Sequence, residues 1–183
     1  MCSCGRNPAP ISIVSLQRRV GKRAILFVGR DCMVARADFI VESPVDTPQL
    51  IVEVKTKTPA SPDWAAQMRR NMFAHLALPP SRYFLLALPE RFYLWKDAPP
   101  LAVTPPDYEI DARQVLEPYL NKLKTPLASL SHSSLEILVR FWLEDLIRSR
   151  VDQVGNSQAE KWLVESGLYD AIKHGYIRVH ARR

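Results

Sequence analysis

Apolar and polar residues alternate along "RADFIVESPVDTPQLIVEVKTKT", residues 36–58, and a period of two predicts strands. In the first run Ala37, Phe39 and Val41 share one face, and Arg36, Asp38, Ile40 and Glu42 share the other. In the second, Leu50, Val52 and Val54 go together, opposite Ile51, Glu53, Lys55 and Lys57. With "SPVDTP" as the loop, keeping the apolar sets together pairs Val41 with Leu50, Phe39 with Val52 and Ala37 with Val54, because a one-residue slip reverses every side chain. Asp38 then lies opposite Glu53.

Elsewhere "AILFV" (24–28) reads as a buried strand stopped by Gly29. "SPDWAAQMRRNMFAHLAL" predicts a helix with Ser61 as N-cap, Pro62 at the first helical position and Asp63 in the first turn. Trp64, Met68, Met72 and Leu76 form its core stripe. "RYFLLAL" and "RFYLWK" read as strands hinged at "PE". From 97 to 126 recurrent prolines mark a connector with one short helix around "ARQVLEPYL". "SSLEILVRFWLEDLIRSR" is amphipathic, with Leu135, Leu138, Val139, Trp142 and Leu146 on one side. "SQAEKWLVES" opens with Ser157 and Glu160 at capping-box spacing, "LYDAIKHG" closes against Gly175 as a C-cap, and "YIRVHARR" reads as a last edge strand or a fraying end. This order predicts an α/β or α+β mixed sheet with helices against it. The expected organisation is an N-terminal segment (1–23), a core (24–96), the Pro-rich connector (97–126) and a helical C-terminal extension packed on the core (127–183).

Composition narrows the class. The 183 residues are 47% hydrophobic and 24% charged, as in an ordinary globular domain. No apolar run approaches membrane-spanning length and the start lacks a secretion-signal pattern, so a cytoplasmic protein with no membrane partner is expected. Cys2, Cys4 and Cys32 lack the spacing of a zinc finger, and His75, His132, His174 and His180 are scattered singly, as surface or satisfied polar residues. A net charge of +6 favours polyanionic partners.

The opposed carboxylates carry the candidate chemistry. Facing Cβ atoms in a sheet sit about 5 Å apart, and at an effective dielectric of 20 two full charges that close repel by about 3 kcal/mol. A divalent cation reverses the sign, and a pair of carboxylates suits Mg²⁺, or Mn²⁺, with substrate phosphate oxygens completing the shell. Lys55 projects from the face of Glu53, placed to orient or deprotonate an attacking water or to steady phosphate charge. A register shifted by two sets Asp38 opposite Lys55 instead and makes the group a surface salt-bridge lattice.

Asp38, a turn, then Glu53-Val54-Lys55 on the next strand and a helix after it: this order resembles the PD-(D/E)XK nuclease superfamily over roughly residues 24–96. The resemblance implies a restriction-endonuclease-like core, with Asp38 and Glu53 as metal ligands and Lys55 as the catalytic lysine. It also implies a metal-facing carbonyl at Val54 and a helical Gln67 beside the site. Ala37 replaces the family's proline, and the helix that often donates a further acid precedes the sheet, where this chain has no Asp or Glu before Asp31. Arg36, Arg69 and Arg70 are candidate phosphate contacts. The function expected is metal-dependent hydrolysis of the DNA backbone, with a homodimer compatible with cutting two strands. The alternatives are a catalytically impaired nuclease-fold module binding nucleic acid or protein, and a purely structural hairpin.

Overall fold

Continuous apolar runs at Phe39–Val41, Leu50–Val52 and Tyr83–Ala87 give the central strands two faces to bury, and the architecture follows from what covers each. The computed structural model describes residues 37–123, 130–149 and 160–179, all within one compact unit. The expected strand at 24–28, Arg36, the three cysteines, His180 and the Ser157 half of the capping box lie outside the described residues.

The fold is α+β. Strands β1 (Phe39–Glu42), β2 (Pro48–Val54), β3 (Tyr83–Ala87), β4 (Arg91–Lys96), β5 (Tyr108–Asp111) and β6 (Tyr176–Val179) form one mixed sheet in the order β5-β4-β3-β2-β1-β6. β2 and β3 run parallel, joined through helix α1 (Pro62–His75), and the other neighbours are antiparallel. Helices α2 (Ala112–Leu123), α3 (His132–Arg148), α4 (Lys161–Glu165) and α5 (Leu168–Ile172) follow β5.

Strand parity divides the core into two. Phe39, Val41, Leu50, Val52, Leu85 and Leu94 meet residues of α2 to α5 on one face. Ile51, Phe84, Leu86, Tyr93 and Trp95 meet Ala65, Ala66 and Met72 of α1 on the other. The expected α3 stripe of Leu135, Leu138, Val139, Trp142 and Leu146 is buried in the first cluster, so the C-terminal helices share their core with the sheet. Trp64, Met68 and Leu76 pack at the edge of the second cluster.

The hairpin register is the expected one at Phe39–Val52 and Val41–Leu50, followed by a bulge where Glu42 pairs with Pro48. A tight loop closes it, with the Ser43 amide donating to Thr47 O at 2.9 Å and Asp46 in the left-handed region at φ 59°, which Asp tolerates better than most residues. Ala37 departs from expectation. It is buried with Ile51 and Phe84 and not with Phe39 and Val41, because the chain bends at Asp38 before the strand begins.

Two further expectations are corrected. The connector holds β5 as well as the helix, and it is pinned rather than loose: Trp95 Nε1 donates to Thr104 O at 2.9 Å and the Lys96 amide to Asp107 Oδ2 at 2.8 Å. Gly175 is not the left-handed cap of α5, a role taken by His174 at φ 61°. A Cβ on Gly175 would lie 2.1 Å from the Glu42 carbonyl oxygen, so glycine is needed there for a close backbone approach. Of the two readings of the tail, Tyr176–Val179 take the edge strand. Buried Glu42 accepts from Arg178 Nη2 at 2.9 Å, holding β6 against β1.

Helix α1 starts as its sequence dictates, with Ser61 Oγ accepting from the Trp64 amide at 3.2 Å. Ser61→Ala removes this cap and is expected to cost about 1 kcal/mol, lowering the thermal midpoint by about 2–4 °C in a chain of this size. A circular-dichroism melt superimposable on the parent's would show that the cap contributes nothing.

Candidate functional site

Asp38 occupies the bend just before β1, one step beyond the Phe39–Val52 pair. Its Oδ2 accepts the Val54 amide at 2.8 Å, replacing a backbone acceptor at the end of the ladder. The side chain is therefore anchored on the second strand at Val54. Only 5% of Asp38 is exposed.

Glu53 is equally buried and shares strand parity with Ile51, on the face covered by α1. Lys55 Nζ donates to Glu53 Oε1. A buried carboxylate needs such a partner, since desolvation otherwise disfavours its charge. The Lys55 amide donates to Ala87 O at 3.0 Å, continuing the parallel ladder past β2, and its side chain is 28% exposed. The ammonium thus reaches from the buried acid toward solvent.

The remaining candidates separate. Gln67 and Arg70 lie on the exposed side of α1, with Arg70 Nη1 donating to Asn71 Oδ1 at 3.2 Å. Arg69 is 2% exposed. Its guanidinium donates to Ala98 O at 2.7 Å and Pro99 O at 3.2 Å, and it lies 5.0 Å from the ring centroid of Phe73 and 5.8 Å from that of Trp95. Burial pushes its pKa below the ordinary arginine value, with the Asp107 carboxylate opposing. Arg69 therefore fastens the Pro-rich segment to α1 and is corrected from phosphate contact to structural residue. Val54 contributes its amide to Asp38, as above, and its side chain is buried.

Two residues not expected at the site reach it from α3. His132 Nε2 and Glu136 Oε1 are 3.0 Å apart, an i,i+4 pair on the first turns of that helix. Ligand atoms of Asp38, His132 and Glu136 all lie within 4.8 Å of one another. At that separation two carboxylates repel by about 3 kcal/mol or more at an effective dielectric of 20, so a positive charge among them stabilises the group. The sequence signal was the spacing His-x-x-x-Glu, which sets both side chains on one helix face; nothing local ties that face to Asp38.

The donor chemistry of Asp38, His132 and Glu136 fits a divalent cation: two carboxylates and one imidazole. No family model, curated protein or solved structure matches the chain.

Proposed function

We propose that the protein is a divalent-metal-dependent phosphodiesterase that hydrolyses the DNA backbone, with Asp38 and Glu53 holding the ion. The observation that carries this reading is a pair of buried carboxylates, each 5% exposed, Asp38 just before β1 and Glu53 in β2, with the Lys55 ammonium paired to Glu53 and reaching solvent. When bound, Mg²⁺ or Mn²⁺ would supply Lewis acidity toward a phosphoryl oxygen and lower the pKa of a coordinated water.

The protein's own groups have separable tasks. The Val54 amide fixes the Asp38 carboxylate. Lys55 orients the attacking water or offsets charge gathering on the phosphate. Exposed Arg70 on α1 is the described candidate for a backbone contact, and Gln67 shares that exposed side. The overall charge of +6 favours approach of a polyanion.

Purified full-length chain with Mg²⁺ or Mn²⁺ is expected to cut plasmid, linear or single-stranded DNA and to stop on addition of chelator. Substrates left intact under all these conditions would overturn the reading. A second reading, a non-catalytic nucleic-acid adaptor, is favoured by the ion pair that already joins Glu53 to Lys55. Salt-sensitive DNA binding that ignores chelator, without cleavage, would support it.

A further inference from the structure

We infer that Asp38, His132 and Glu136 form a binding site for a divalent transition ion of the Mn²⁺ class, bridging the start of β1 to the first turns of α3. This goes beyond the hydrolytic reading and shares only Asp38 with it.

The three side chains come from two segments far apart in the chain, yet they present one nitrogen and two carboxylate donors within 4.8 Å of one another. Three protein donors around a shared point, with positions left for water, is a common arrangement for a transition ion. Asp38 is held in place from behind, because its Oδ2 receives the Val54 amide at 2.8 Å. His132 and Glu136 are held one turn apart on a helix whose N-cap, Ser131, accepts the Ser134 amide at 3.1 Å. The donors are therefore fixed by backbone contacts on both sides.

The donor set selects the ion. Carboxylates alone suit Mg²⁺ and Ca²⁺, but an imidazole shifts preference toward first-row transition ions, and two carboxylates per imidazole keep the site at the oxygen-rich end of that range. The positive end of α3 works against a cation, since a helix N-terminus carries roughly half an elementary charge. Two ionised carboxylates outweigh it. The competing arrangement is a metal-free one in which His132 serves only as the partner of Glu136, 3.0 Å away.

Mn²⁺ added to the full-length chain separates these, with binding followed by loss of the aqueous Mn²⁺ electron paramagnetic resonance signal and imidazole coordination read by pulsed methods as ¹⁴N coupling. One Mn²⁺ per chain with ¹⁴N coupling is expected. His132→Ala should abolish the coupling and weaken binding by about 10–100-fold, and Glu136→Gln should weaken binding while retaining the coupling. Absence of Mn²⁺ binding, binding without ¹⁴N coupling, or coupling unchanged in His132→Ala overturns the inference; circular dichroism confirms that each variant is folded. DNA cleavage is scored separately: imidazole-coupled Mn²⁺ without cleavage sustains this site and removes the nuclease reading, and cleavage without the coupling does the reverse.

Discussion

Lys55→Met is expected to reduce metal-supported DNA hydrolysis by about 10²–10⁴-fold, the range for loss of one well-placed acid–base group. The substitution keeps most of the aliphatic stem and removes the ammonium that meets Glu53 Oε1. Because Lys55 is 28% exposed on its side chain, its backbone role, donating to Ala87 O, survives the change. Steady-state cleavage of supercoiled plasmid at saturating Mn²⁺, read beside a thermal melt, distinguishes two origins for the pair. If Lys55 acts in the reaction, the rate collapses while the fold persists at the assay temperature. If Lys55 exists only to neutralise a buried carboxylate, the melting point falls and the rate per folded molecule stays at the parent's level; that second pattern would remove lysine from the mechanism.

Gly175→Ala is expected to be the most damaging single-methyl change among the described glycines. The new Cβ would stand 2.1 Å from Glu42 O and 2.9 Å from Ile172 O, both backbone atoms that no rotamer change can move. Overpacking of this kind costs about 1–3 kcal/mol and sometimes more; with backbone on both sides the upper figure applies, and about 3 kcal/mol lowers the melting temperature by roughly 6–12 °C. Gly167→Ala provides the contrast. Its Cβ would meet only the Tyr83 hydroxyl and the end of Lys96, so the cost there comes mainly from φ +77°. A Gly175→Ala melt within about 2 °C of the parent would show that β6 does not need this close approach.

The sequence is most legible where one short-range rule decides the outcome. Ser61, Pro62 and Asp63 announce α1 because capping is local chemistry. Alternation sets the β1–β2 register because an odd slip would turn Phe39 and Val41 to the face opposite Leu50 and Val52. The same rule misplaced Ala37, since the Asp38 carboxylate accepts the Val54 amide where the ladder ends and the chain bends there. β5 was missed because "YEID" alternates over only four residues and follows two prolines. Arg69 looked like a surface charge because its partners, the carbonyls of Ala98 and Pro99, belong to a segment the sequence marks only as irregular. His132 and Glu136 belong to the candidate site through tertiary folding alone, with most of the sheet lying between them and Asp38 along the chain.

The position of β6 beside β1 has a consequence for how the chain is made. The strand that pairs with the outer side of β1 emerges from the ribosome about 130 residues after it, which at about 5–20 residues per second leaves roughly 7–27 s. During that interval the nascent hairpin presents an open row of amides and carbonyls, the kind of surface that recruits foreign strands. The Glu42–Arg178 ion pair belongs to this late pairing. It is a contact that only the finished polypeptide can make.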